Sequence, residues 1–201
     1  MRNRILKILK AYYEAEDSAL EAESLTPQQH SQAQEKAKET AISRSSLSAP
    51  VKYLIQTSIF SNLPAKARVL DYGAGKGADV EILRQMFPHI DVVGYDRYNG
   101  PEEFMEFPKG KFDLIVCNYV LNVVSDKEIR TDIINKIHSL LKEKGKAFVS
   151  VRSDVTALKG LTSKGTWQGF IKLKFPVVAK TGNFIMYELN RKSIEGLKKG
   201  N

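Results

Sequence analysis

The chain has 201 residues, 42% hydrophobic and 27% charged, which suits one globular domain with a small appendage and excludes a wholly disordered polymer. One cysteine, Cys117, excludes an internal disulfide framework, and three scattered histidines (His30, His89, His138) lack metal-ligand spacing, so no metal is expected. No run of 18 apolar residues exists and the first residues are too polar for a signal peptide; the expectation is a cytoplasmic, reducing compartment and no membrane partner.

The net charge of +8 is lopsided. Residues 1–45 balance and residues 46–141 sum to −1, whereas residues 142–201 carry thirteen basic against four acidic side chains. A one-sided basic surface points to a polyanionic partner, foremost DNA or another nucleic acid. The alternative is a solvating surface that ends in a lysine-rich tail with Lys192, Lys198 and Lys199.

Along the chain, residues 4–22 read as an amphipathic helix with Ile5, Ile8, Leu9, Tyr12 and Tyr13 on one face. Thr26-Pro27-Gln28-Gln29 predicts a second helix over 27–41, with Thr26 as cap, Pro27 in the first turn and Gln29 completing a capping box. The serine-rich stretch 43–48 is a linker or the capped start of a third helix over 50–60. From there helices and strands alternate: strand 68–71, helix 77–87, strand 91–95, strand 112–118, helix 126–143 and strand 146–152. Continuous apolar runs such as Leu114-Ile115-Val116 suit a parallel sheet buried on both faces. Segments 169–174 and 183–189 alternate instead and predict a closing antiparallel pair. The fold class is therefore α/β: a doubly wound, Rossmann-like, mostly parallel sheet with an antiparallel edge pair and an N-terminal helical extension. The expected division is a helical extension over 1–42, the main domain over 43–191 and a basic tail over 192–201. The extension is suited to pairing in a homodimer, to capping the site or to recruiting a partner, and the sequence does not choose among these.

Chemistry concentrates where strand 68–71 runs into Asp71-Tyr72-Gly73-Ala74-Gly75-Lys76-Gly77. Glycines there let the backbone turn sharply and approach a ligand with no Cβ in the way. Nicotinamide, flavin and other nucleotide sites share such loops, but Asp71 stands two residues before the first glycine. A carboxylate there repels a pyrophosphate and suits a cationic amino group; its other reading is a helix cap. No Gly-Lys-Ser/Thr follows, which excludes a P-loop. No Tyr/Lys or His/Asp hydride-transfer pair accompanies the loop, which disfavours a nicotinamide oxidoreductase. Asp96, ending the second strand, can accept hydrogen bonds from both hydroxyls of a ribose, or serve as a turn residue.

These residues resemble the class I S-adenosylmethionine-dependent methyltransferases over about residues 66–152. Asp71, Gly73, Gly75 and Gly77 match that family's first motif, Asp96 its ribose-binding acid, and Phe112–Asn118 its fourth strand. The resemblance implies S-adenosylmethionine as cofactor, held by Asp71, Tyr72, Gly73, Gly75, Asp96, Arg97 and Asn118. Three separated segments, Thr40–Ser48, Asn118–Val124 and Ser150–Arg152, are similar to a bacterial and phage group of methyltransferases named for an association with DNA phosphorothioation.

Methyl transfer needs an in-line nucleophile and orientation more than covalent help. Asn118, Tyr119 and Arg152 are the candidate catalytic residues. Where adenine methyltransferases carry Asn/Asp-Pro-Pro-aromatic, this chain reads Asn118-Tyr119-Val120-Leu121, which argues against that typical amino-group chemistry. Cys117 lies inside an apolar strand with no proline before it, so cytosine C5 chemistry is not expected. Arg152 can hold a phosphate or carboxylate, or form a structural ion pair. The polar loop 160–169 holds the single tryptophan: Trp167 either stacks on a base or packs on the sheet, and Gln168 can read a base edge. Arg44 completes the candidate substrate contacts. Methyl transfer to nucleic acid is the first reading; a small-molecule or protein acceptor, and a binding module that keeps only the fold, are the others.

Overall fold

In the computed structural model the described residues are 26–37, 43–154, 159–163 and 165–191. In chain order they form α1 (Pro27–Ala37), α2 (Ala49–Gln56), β1 (Arg68–Tyr72), α3 (Ala78–Met86), β2 (Asp91–Tyr95), α4 (Glu102–Met105), β3 (Phe112–Asn118), α5 (Lys127–Leu140), β4 (Leu141–Arg152), β5 (Lys159–Leu161), β6 (Trp167–Gly169), β7 (Val177–Lys180) and β8 (Phe184–Asn190). The amphipathic segment 4–22 and the basic tail 192–201 lie outside the described residues.

Local signals set the helix starts. Thr26 and Gln29 exchange both hydrogen bonds of the predicted capping box, at 2.8 and 3.2 Å. Ser48 caps α2, its Oγ accepting from Val51 N at 3.4 Å with Pro50 in the first turn. Asp126 caps α5 by accepting from Glu128 N and Ile129 N.

The main sheet has the order β2-β1-β3-β4-β8-β7. β2, β1, β3 and β4 run parallel, β8 lies antiparallel to β4, and β7 antiparallel to β8. The Rossmann-like α/β architecture and the antiparallel edge read from the sequence are present. One face carries Val69, Val116, Phe148 and Met186 and packs on Val51, Leu54, Val80 and Leu83 of α2 and α3. The other carries Leu70, Cys117, Val149 and Tyr187 and packs on Ile134 and Ile137 of α5. Each large apolar side chain fully buried this way contributes about 1.5–3 kcal/mol. No helix among the described residues is long and apolar enough to cross a membrane.

Three details differ from the sequence expectation. Helix α5 ends at Leu140 and β4 begins at Leu141, with no connecting residue. A Cβ on Gly145 would lie 2.7 Å from the carbonyl of Phe112, which accounts for the glycine inside that long strand. The partner of β8 is Val177–Lys180, not 169–174. Ile171, Leu173 and Phe175 are buried and alternate with exposed Lys172 and Lys174, because this stretch lies extended across the α5 face without pairing in the main sheet. Its period of two records burial of one side, which strands and extended loops share. Finally, the short α4 and the β5–β6 hairpin stand where the sequence offered only connecting segments.

Helix α4 exists to deliver one ring. Phe104 is 2% exposed and fills the space beside Gly77, Gly94 and Gly100; a Cβ on Gly94 would lie 2.7 Å from both Cε2 and Cζ of that ring. Gly94→Ala is therefore expected to lower the unfolding free energy by about 2 kcal/mol, the scale of core overpacking. Adding Phe104→Leu should recover part of that loss in urea unfolding. Simple additivity of the two losses would show that the contact is not the cause.

Candidate functional site

β1 is the strand at which the sheet order reverses, since the chain passes first to β2 on one side and then across to β3 on the other. The crevice at the carboxyl ends of such strands is where open α/β sheets bind ligands. Residues 73–77 lie there. Gly73 has φ +84°, and a Cβ on it would meet Val120 Cγ2 at 2.2 Å, so neither the conformation nor the space admits a side chain. Its N–H donates to the Tyr95 carbonyl at 2.7 Å, pinning the loop to the end of β2.

Asp96 completes that attachment. Its Oδ2 accepts from Gly75 N at 2.9 Å, while Oδ1 accepts from Tyr98 N at 3.0 Å and Asn99 N at 2.9 Å. With Asn99 Nδ2 also 3.5 Å from Oδ1, that oxygen is filled, while Oδ2, which takes one donor, keeps a second acceptor position. The sequence reading offered a ribose acid or a turn residue. The structure places Asp96 in the turn, with room for one further donor.

Asp71 is 3% exposed on the α3 face at the end of β1. Burial pushes its carboxyl up to about 8; the Asp79 charge adds to the rise, the Arg44 guanidinium opposes it and Asp96 adds a little more. Asp79, in the first turn of α3, is also buried: its Oδ1 accepts from Ser48 N at 2.7 Å and its Oδ2 pairs with Arg44 Nη2 at 3.2 Å. This pair ties the segment before α2 to the start of α3, beside the glycine-rich loop. Sequence reasoning missed Asp79, although a charge four residues before Leu83, on the buried stripe of α3, was the available signal.

On the far side of β1 three buried polar atoms are not consumed. Asn118 ends β3 beside Ser150 of β4 in register, both on the α3 face. Among the described residues, Asn118 Oδ1 and Nδ2 and Ser150 Oγ are buried without a hydrogen-bond partner. Tyr119 follows at φ +62°, a left-handed conformation that costs a residue with a Cβ on the order of 1–3 kcal/mol. It is fixed there by its N–H to the Ser150 carbonyl at 2.9 Å. Its hydroxyl has a raised pKa from burial and the Asp154 charge, with Arg44 and Arg152 opposing, so both guanidiniums are within electrostatic reach. Arg152 holds Asp154 through two contacts of 3.0 and 2.6 Å. Asn122, four residues after Asn118, is by contrast fully engaged: Nδ2 donates to the Gly169 carbonyl at 2.7 Å and Oδ1 accepts from Arg152 N at 2.8 Å.

A family model described as a methyltransferase domain matches residues 44–180. The chain belongs to the methyltransferase domain family. No curated protein matches the sequence. Among solved structures the chain is similar to PKMT2 from Rickettsia typhi in complex with AdoHcy, at 27% identity over 42% of this chain and 21% of that one, with TM-score 0.35. It is also similar to coclaurine N-methyltransferase bound to N-methylheliamine and SAH, at 11% identity over 83% and 57% of the two chains, with TM-score 0.43. A third is the plantazolicin methyltransferase BpumL in complex with SAH, at 11% identity over 74% and 58%, with TM-score 0.39. The chain thus spans about a fifth of the first structure's length and little more than half of the other two.

In this methyltransferase domain the remaining candidates are spread more widely. Tyr72 is 6% exposed on the α5 face, edge-on to Tyr95, with its side chain turned away from Asp71. Arg97 is exposed, its guanidinium 5.6 Å from the centre of the Tyr98 ring. Trp167 is buried in the α5-side core, with Arg130 5.4 Å above its ring, so of its two readings the structure takes packing on the sheet. Gln168 is half-buried, and its Oε1 has no partner among the described residues. Cys117 is wholly buried, and burial raises its thiol pKa, which gives the thiol no nucleophilic form near neutrality.

The Asp71 carboxyl binds its proton more tightly in the folded chain than in the unfolded one. Its contribution to stability therefore falls as pH rises from about 4 to about 8 and is level above that. Asp71→Asn removes this dependence, so the variant should gain stability relative to the wild type between pH 5 and pH 8 in urea unfolding. A pH-independent difference would show that Asp71 ionises in the usual carboxylate range.

Proposed function

We propose that the chain transfers a methyl group from S-adenosylmethionine to a nucleic acid, with DNA favoured over RNA. The observation that carries the donor half is the glycine-rich cradle closed by Asp96 and flanked by the buried Asp71 in a methyltransferase domain. Its residues fit the group. The turn at Gly73 admits no side chain, Asp71 is a buried acid whose raised pKa a cationic amino group would lower, and Asp96 Oδ2 keeps a position for one ribose hydroxyl. When bound, S-adenosylmethionine supplies an electrophilic methyl group that needs an in-line nucleophile. The protein's own work is then placement: Asp96 holds the loop, Arg44 and Asp79 hold the segment before α2 against it, and Asn118 and Tyr119 face the acceptor.

Support for a nucleic-acid acceptor is the +9 balance over residues 142–201 and the resemblance of the three segments noted above. The exposed Lys180 ends β7 at the same edge as Arg152. Arg44 and Arg152 are each paired with an acid, Asp79 and Asp154, as Lys142 and Lys146 are with Asp113 and Glu188, so a phosphate would have to compete for these four.

Calorimetry with S-adenosylmethionine should show binding, with none for NAD. Asp96→Ala should weaken it about tenfold or more by releasing Gly75, and Asp96→Asn, which keeps one acceptor oxygen, should fall between. Binding of a DNA oligonucleotide should lose affinity steeply between about 50 and 200 mM salt as counterion release requires. Salt-insensitive or absent DNA binding would move the acceptor to a small molecule or a protein.

A further inference from the structure

The segment before α2 is held unequally at its two ends. At the α2 end Ser48 is 3% exposed, its N–H donates to Asp79 Oδ1 at 2.7 Å, and its Oγ caps the helix. Leu47 packs beside it on the α3-face core. Ser43–Ser46, by contrast, are exposed and belong to no helix or strand. Among the described residues one hydrogen bond anchors that stretch, from Arg44 Nη2 to Asp79 Oδ2 at 3.2 Å. A guanidinium carries five N–H donors, so a single contact of that length is a hook, not a two-pronged clamp. The acid that takes the hook is 1% exposed and stands in the first turn of α3, two residues after Gly77. When Arg44 leaves, Asp79 keeps the Ser48 N–H alone among the described residues. A buried carboxylate without its cation is costly, so the hooked state is preferred.

Position gives the hook a task. The Arg44 guanidinium is near enough to the Asp71 carboxyl, at the end of β1, and to the Tyr119 hydroxyl, after β3, to lower the pKa of both. It therefore stands at the carboxyl edge of the sheet, beside the glycine-rich loop. Leu47 and Ser48 cannot move without opening the core and uncapping α2, whereas residues 43–46 are free to swing once Arg44 lets go. A firm hinge with one weak latch is the construction of a small lid. We propose that residues 43–46 are a strap at the mouth of the donor cradle, hinged at Leu47–Ser48 and latched by Arg44 to Asp79, which opens to admit S-adenosylmethionine and closes once it is seated. Closure shields the crevice from water and so strengthens the polar contacts of a seated donor; donor and closed strap favour each other. Asp79 is then a positioning residue, which acts on the donor through Arg44. The inference rests on the donor half of the reading above and adds how the cradle is entered.

Trypsin reads the latch directly, because cleavage after Arg44 requires its guanidinium to leave Asp79 and enter the protease pocket. In the full wild-type chain, saturating S-adenosylhomocysteine should slow cleavage of the Arg44–Ser45 bond about fivefold or more, followed by mass spectrometry. Asp79→Asn, whose Oδ1 still accepts from Ser48 N, should be cut there about tenfold faster and gain less than about twofold protection from the same ligand. In calorimetry Asp79→Asn and Arg44→Gln should each weaken S-adenosylhomocysteine binding about fivefold, and the double variant should lose no more than either single one. A merely structural Asp79 would cost affinity whether or not Arg44 is present, so additive losses would overturn the strap, as would unchanged affinity in Arg44→Gln. If Asp79→Asn does not fold, Arg44→Gln still decides the affinity arm and the wild type the cleavage arm. S-adenosylhomocysteine that binds the wild type without protecting the Arg44–Ser45 bond would remove the strap and leave the donor reading standing. A wild type that does not bind it at all would remove both.

Discussion

One carboxylate organises the edge of this protein at the carboxyl ends of β1 and β2. Asp96 gathers N–H groups from the glycine-rich loop and from the turn after β2, adding to the bonds that Gly73 N and Ala74 N make to the Tyr95 carbonyl. Its own N–H donates to the Phe104 carbonyl at 2.9 Å, which draws α4 against the same turn. The Phe104 ring then closes the space that Gly77 and Gly94 leave, so glycines that would otherwise weaken the loop are backed by a buried aromatic. Hydrogen bonds to an ionised acceptor are roughly twice as strong as neutral ones, and three on one group make the loop a fixed surface before any ligand arrives. A preformed surface loses little entropy on binding.

Across β1 the same edge is built differently. Asn122 holds the backbone at the end of β4 and Arg152 pairs with Asp154, while the polar atoms of neighbouring Asn118 and Ser150 are buried without a partner among the described residues. Buried Asp71 lies between the two halves, with a carboxyl whose proton is retained to about pH 8. Polar groups are thus satisfied within the chain toward β2, while toward β4 three buried polar atoms have no partner among the described residues.

Much of this was legible in the sequence because it depends on short-range signals. Continuous apolar runs identified the parallel strands, Thr26 and Gln29 announced a helix, and Asp71 with its three following glycines marked the sheet edge at which open α/β folds bind ligands. What escaped notice depends on contacts between distant segments. Nothing near Phe104 says that its ring will meet Gly77 and Gly94, and nothing near Ser48 says that its N–H will find Asp79. The alternation of Ile171, Leu173 and Phe175 was real, but burial of one side does not say whether the backbone pairs with a neighbour. Trp167 had two readings because an aromatic in a polar loop can turn inward or outward, and only the position of the α5-side core decides.

The junction of α5 and β4 shows what sets the place of a central strand. Leu140 ends the helix and Leu141 pairs at once with Phe112, but the next residue of β4 in register, Lys146, stands opposite Leu114, so Lys142–Gly145 bulge at the lower edge. A residue inserted in that bulge leaves the pairing of Lys146–Arg152 with β3 and β8 intact, whereas one inserted after Lys146 would turn the side chains of β4 to the wrong faces. The connections over 57–67 and 106–111 give the same edge further slack. Sheet pairing, not the helix before it, therefore fixes where the upper end of β4 stands, and the lower edge can absorb changes of length without moving it.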